Sequence, residues 1–170
     1  SGVVGDRLMG VFDLYNIAIK PNHIKMGTLG KAYGSFGAYI LASEHIIEYL
    51  INRAKPIIYA TSLSLYDTRL AHLALEHILE NVQGLREEIK VRQQIVKETL
   101  NISIDGLIVP IVINDNKKVL EIKEVLRQEG FSIGAIRQPT VPQAIVRVIA
   151  RLEIQGEVFR KLCLKVSNIL

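Results

Sequence analysis

The stretch "KMGTLGKAYGSFGAYI", residues 25–40, sets one lysine, Lys31, among four glycines (Gly27, Gly30, Gly34 and Gly37). The apolar runs "HIKMGTL" (23–29) and "GAYILA" (37–42) on either side read as short strands. Spacing excludes two phosphate-cradling loops. A P-loop needs a glycine five residues before the Gly of its Gly-Lys pair and a Ser or Thr after the lysine, where this chain has Lys25 and Ala32. A dinucleotide loop needs Gly-x-Gly-x-x-Gly, and no Gly-x-Gly occurs in the segment. What remains is a lysine after a strand, among small residues and near the hydroxyl of Thr28. Two readings fit: a solvated loop lysine, or a Schiff-base lysine in a loop whose glycines let a cofactor approach the backbone.

Downstream, Ser43 is placed to cap a helix carrying Ile46, Ile47, Leu50 and Ile51, which Pro56 ends near Arg53. "PIIYATS" (56–62) reads as a third strand-like run. A helix follows with Leu70, Leu73, Ala74, His77, Ile78 and Leu79 on its apolar stripe, and Gly84 separates it from a second long helix over about 85–100. From residue 102 the texture changes. "GLIVPIVI" (106–113) is a β-branched strand, "NDN" (114–116) a turn and helix cap through Asp115 and Asn116, and "KKVLEIKEVLRQEG" a helix closed by Gly130. "FSIGAI" and "AIVRVIA" are strands flanking "RQPTVPQ", and the chain closes on an amphipathic helix from about Glu157. This order makes a small α+β layer, and the predicted boundary falls near residue 101, separating 1–101 from 102–170.

The composition narrows the function. A hydrophobic content of 49% suffices for a packed core, and no run approaches the length of a membrane span. The net charge is +4, but the cations alternate with acids, as in "REEIKVRQQIVKE", which reads as a solvated helix face rather than a nucleic-acid footprint. The single cysteine, Cys163, reads as a core residue, and a cytoplasmic location is expected. His23, His45, His72 and His77 have no metal-ligand spacing, so no metal is expected. Arg147 and Arg151 alternate onto the same side of a strand as Ile149.

Four blocks in order, "TLGKAYGSFGAYILAS", "YATS", "PIVINDN" and "AIRQPTVP", resemble the α-oxoamine synthases, pyridoxal-phosphate enzymes of the type I, aspartate aminotransferase-like fold. The resemblance implies an α/β fold in which this chain is the C-terminal part: residues 1–101 as the tail of the large cofactor domain with its connecting helices, residues 102–170 as the small α+β domain. The block "IRQPTVP" is most similar to the biotin-pathway branch, which condenses L-alanine with a pimeloyl thioester carried by coenzyme A or a carrier protein. By this resemblance Lys31 holds pyridoxal 5'-phosphate and moves protons at the substrate Cα, and Thr28 contacts the cofactor phosphate. Thr61 and Ser62 match residues at a homodimer interface near the partner's phosphate. Arg137 matches the arginine that grips the amino-acid carboxylate, and Thr140 the threonine of the same loop. A guanidinium suits that task because it binds a carboxylate bidentately, while Pro139 and Pro142 stiffen the loop.

Three departures qualify the match. Ser64-Leu65 follows "YATS" where the family has a proline pair, and Ile149 replaces the second arginine of its Arg-x-Arg. The family's ring-stacking histidine, its aspartate for the ring nitrogen and its Asp-x-x-His motif are expected upstream of Ser1. Two rival readings follow: an α-oxoamine synthase making 5-aminolevulinate or 2-amino-3-oxobutyrate, or a truncated, non-catalytic remnant.

Overall fold

In the computed structural model, which describes residues 1–170, the two apolar runs around Lys31 pair with each other. A short helix α1 (Val11–Leu14) precedes strand β1 (Lys25–Thr28), which lies antiparallel to β2 (Ala38–Leu41), with Lys25 opposite Leu41 and Thr28 opposite Ala38. Helix α2 (Glu44–Arg53) follows Ser43, whose backbone is extended as an N-cap requires, although its side chain makes no capping bond.

The predicted third strand does not form. Residues 55–58 are instead a short helix α3 (Lys55–Ile58), and residues 59–64 carry no regular structure. Pro56 does not stop α2, which ends at Arg53 as Ala54 turns extended. It opens α3, because its locked φ suits the first helical turn and its missing N–H is not needed there. Helix α4 (Leu65–Glu80) is capped by Ser64, whose Oγ accepts the Asp67 amide at 3.1 Å and donates to Asp67 Oδ2 at 2.5 Å. Its inward stripe is Ala71, Ala74, Leu75 and Ile78, rotated by one residue from the predicted one; Leu70, Leu73 and Leu79 stay exposed. Gly84 breaks nothing. The chain turns at Asn81, whose backbone and side-chain N–H groups both donate to the His77 carbonyl, and helix α5 (Val82–Leu100) starts before the glycine.

The first ten residues are ordered around Asp13. Its Oδ2 accepts the amides of Arg7 at 2.7 Å and Met9 at 3.0 Å, and its Oδ1 lies 3.7 Å from the Arg7 guanidinium. Burial alone pushes this carboxyl up, but the two backbone bonds and the Arg7 charge outweigh it and hold it below the ordinary 3.8. A depressed native value stabilises the fold fully above the unfolded aspartate's range, and that contribution is lost as pH falls through the lower native value. The urea-midpoint gap between wild type and Asp13→Asn is therefore expected to hold from about pH 7 down to about pH 5 and to close below about pH 4. A gap that persists in strong acid would contradict a held carboxylate.

The chain divides into two compact units, Ser1–Leu85 and Arg86–Leu170, so nearly all of α5 belongs to the second. The division falls within the first turn of the long helix and not after it near residue 101, because Ile89, Arg92, Ile95 and Val96 are buried on α5, the last two within the core of the second unit. There, β3 (Ile108–Val112), helix α6 (Asn116–Gln128), β4 (Gly134–Ile136), β5 (Ile145–Ile149) and helix α7 (Gly156–Ile169) follow in the predicted order. The strands form an antiparallel sheet ordered β3-β5-β4. Alternation decides its faces: Val109, Ile111, Val146 and Val148 point into the core, whereas Ile108, Pro110, Arg147 and Ile149 point out. Pro110 is tolerated because β3 is an edge strand. Val119, Ile122 and Leu126 of α6 and Phe159, Cys163 and Val166 of α7 complete the core. Burial pushes the Cys163 thiol up to about 11, in keeping with an inert packing residue. Arg151 lies beyond β5 and pairs with Glu153.

Arg92 departs from the solvated face expected of "REEIKVRQQIVKE". It is 5% exposed, its guanidinium donates to the carbonyls of Arg151, Leu152 and Ile154, and it lies 5.9 Å from the centre of the Phe159 ring.

Candidate active site

The loop between β1 and β2 is closed by its own backbone. Leu29 N–H donates to the Gly37 carbonyl at 2.8 Å, Ser35 N–H to the Leu29 carbonyl at 3.0 Å, and Gly34 N–H to the Lys31 carbonyl at 2.9 Å. Two of the glycines lie against neighbouring side chains. A Cβ on Gly27 would lie 2.4 Å from the Tyr39 ring of the opposing strand, and one on Gly37, at φ +105°, would lie 2.6 Å from the Leu63 side chain. Gly30 and Gly34 have no such crowding, so the glycine richness that suggested close approach by a cofactor serves packing in part.

Lys31 and Thr28 come together as the sequence predicts. The Lys31 Nζ donates to Thr28 Oγ1 at 2.8 Å, and both side chains are exposed. Thr28 ends β1 and Lys31 sits in the following turn, so the strand sets the hydroxyl and the turn brings the amine back to it. Tyr33, 6% exposed, anchors the loop from beneath, and burial pushes its phenol up. Ser35 Oγ donates to the Asp67 carbonyl at 2.6 Å and ties the loop to the first turn of α4. Sequence reasoning missed both contacts. Nothing in "KAYGS" marks Tyr33 as inward, and Asp67 is distant along the chain.

Thr61 and Ser62 are exposed in the irregular segment before α4. Leu63 presses this segment against the Lys31 loop at Gly37. The Ser64 that departs from the family's proline pair caps α4, so the departure has a local structural role.

Arg137 and Thr140 lie in the second unit and form one turn after β4, with Thr140 N–H donating to the Arg137 carbonyl at 3.0 Å. Both side chains are exposed. The Gln138–Pro139 bond is cis, and Gln138 Nε2 donates to the Pro142 carbonyl at 2.7 Å. The loop also reaches α6, where Asn116 Oδ1 accepts the Gln138 amide at 3.2 Å. The pairing of Asp115 with Asn116 as a cap is thereby resolved: Asp115 Oδ1 alone takes the Lys117 and Lys118 amides, at 2.7 and 3.0 Å.

The histidines lie apart from any ligand cluster, and no three His, Cys, Asp or Glu side chains gather to hold a metal. His23 packs edge-on against Phe12, His72 faces Glu76 at 3.5 Å, and His77 contacts Asn81. No helix is long and apolar enough to cross a membrane.

A primary amine and a hydroxyl converging on an exposed glycine turn fit a carbonyl-bearing cofactor with an anionic group, the amine for the carbonyl and the hydroxyl as hydrogen-bond donor to the anion.

Comparisons with known proteins show the family and the fold. Residues 2–155 match the family model for class I and II aminotransferases. An 8-amino-7-oxononanoate synthase of Helicobacter pylori is 40% identical over 152 residues, covering 89% of this chain and 41% of that protein. The crystal structure of 8-amino-7-oxononanoate synthase from Francisella tularensis superposes with a TM-score of 0.84 at 26% identity, covering 98% of this chain and 51% of that one. A serine palmitoyltransferase from Sphingomonas wittichii, at 16% identity and a TM-score of 0.86, shares the fold. The chain spans about two fifths of the length of the Helicobacter relative, and its α/β fold is the C-terminal part of the type I transferase architecture. The chain belongs to the class I and II aminotransferase family and, within it, to the α-oxoamine synthase-like group.

Proposed function

We propose that the full-length protein is an acyltransferase of biotin biosynthesis that condenses L-alanine with a pimeloyl thioester to give 8-amino-7-oxononanoate. The observation that carries this reading is the 40% identity over 152 residues to a relative of that name. The cofactor is pyridoxal 5'-phosphate. When bound it supplies an electron sink for the carbanion at the amino-acid Cα. In the net reaction a C–C bond forms between that carbon and the acyl carbonyl, the C–S bond breaks to release the thiol, and the carboxylate leaves as carbon dioxide.

Each side chain has a part in this scheme. The Lys31 amine carries the cofactor and shuttles the Cα proton, and Thr28 beside it donates to the phosphate. Arg137 grips the alanine carboxylate with its planar fork, with Thr140 in the same turn lining the substrate loop. Thr61 and Ser62 serve the phosphate of the partner in a cytoplasmic homodimer. Residues 1–101 comprise the tail of the large cofactor domain together with its connecting helices, and residues 102–170 the small domain, on whose core the connecting helix α5 packs through Ile95 and Val96.

The test is turnover by purified full-length protein offered L-alanine or glycine against pimeloyl-CoA, a pimeloyl-carrier protein or succinyl-CoA. Thiol and carbon dioxide should be released together from L-alanine with a pimeloyl thioester. Turnover confined to glycine with succinyl-CoA would replace this assignment with another α-oxoamine synthase.

A further inference from the structure

We propose that Asn116 is a positioning residue for Arg137, an inference that rests on the reading of Arg137 as the carboxylate-binding residue. Asp115 satisfies the first amides of α6 by itself, accepting from Lys117 and Lys118. Asn116, the first residue of that helix, is thereby released from capping, and its Oδ1 reaches the backbone amide of Gln138, the residue after Arg137.

The loop itself explains why that bond matters. Pro139 and Pro142 have no N–H to give, the Thr140 amide is spent on the Arg137 carbonyl, and the Gln138 side chain spans to Pro142. These contacts close the turn on itself without setting where it points. Strand β4, which delivers Arg137, is only three residues long. The Asn116–Gln138 bond links the closed turn to a thirteen-residue helix whose Val119, Ile122 and Leu126 are buried in the core. Rigid core, helix, Asn116, Gln138 amide and Arg137 form one chain of support, and catalysis by orientation depends on such support for the side chain that holds the substrate. Because both ends of the bond are exposed, its loss acts on the turn's orientation more than on global stability.

The experiment compares Asn116→Leu, which removes the acceptor at similar size, with Asn116→Asp, which keeps an acceptor oxygen, and with Arg137→Ala. All are made in the full-length, cofactor-loaded protein. Asn116→Leu should raise both the L-alanine KM and the calorimetric Kd for L-alanine about fivefold, the effect of one neutral hydrogen bond, with kcat and the thioester KM within about twofold. Asn116→Asp should stay within about twofold of wild type, and Arg137→Ala should weaken L-alanine roughly thirtyfold or more. If Arg137→Ala has that effect and Asn116→Leu has none, the positioning role is overturned while the reading of Arg137 stands. Equal damage by both Asn116 variants, or an equal rise in both KM values, overturns it in favour of a general structural role. An L-alanine affinity unchanged by Arg137→Ala overturns both.

Discussion

Replacing Lys31 with alanine in the full-length protein should lower turnover roughly a thousandfold, within the range for losing a positioned proton-transfer group and more if covalent attachment is lost as well. Two functions are assigned to one amine, so no neighbour can restore both. Thr28, its hydrogen-bond partner at 2.8 Å, offers a hydroxyl that is neither a comparable base nor an amine. The fold should be spared. Lys31 is exposed, and the loop is held by the Leu29–Gly37 and Ser35–Leu29 backbone bonds and by buried Tyr33, so stability should move by less than about 0.5 kcal/mol. Borohydride treatment followed by peptide mass analysis gives a readout independent of activity: the reduced cofactor should be found on the peptide containing Lys31 in wild type and on no peptide of Lys31→Ala. A variant that keeps turnover within about tenfold of wild type, or still traps the cofactor covalently, rules out the assigned role.

The second large effect concerns stability. Phe159→Ala should destabilise the protein by about 3–5 kcal/mol, the cost of removing a large core ring and leaving a cavity that the surroundings fill only in part. Phe159 is 1% exposed and shares its core with Val96, Val109, Ile122 and Val166. Its ring also faces the Arg92 guanidinium, so truncation removes a cation–π partner from a charge that is itself 5% exposed. The three carbonyls of residues 151, 152 and 154 keep that charge hydrogen-bonded, which bounds the loss to the ring. Urea unfolding of the full-length protein measures it; a loss under about 1 kcal/mol would mean that the ring is not packed as described.

What was legible in the sequence follows the periodicity of each element. In the second unit, β-branched alternation, an Asp-capped helix and a glycine with positive φ at Gly130 all agree, and every predicted element from residue 106 onward is present. In the first unit local signals conflict. "PIIYATS" has the composition of a strand, but no third strand pairs beside β1 and β2, and Pro56 favours a helical turn. On α4 the stripes at 70/73/77 and 71/74/78 both satisfy helical spacing, and only packing selects the second. Arg92 looks solvated because its partners are backbone carbonyls distant in sequence, which no residue pattern encodes.

The site divides along the same line. Spacing alone marked Lys31 and Thr28 as an amine near a hydroxyl, whereas Arg137 and Thr140 were singled out only by the resemblance of their block; in each pair the partners lie three residues apart, so local geometry suffices for the Lys31–Thr28 bond and the Arg137–Thr140 turn. Only the tertiary structure revealed what holds those groups: Tyr33 beneath the loop, Ser35 on the Asp67 carbonyl, Leu63 against Gly37, and Asn116 on the Gln138 amide. Chemistry carried by neighbouring residues is written in the chain, whereas support is supplied by groups that meet only after folding, since a hydrogen bond to a backbone amide or carbonyl leaves no mark on the residue type that provides it.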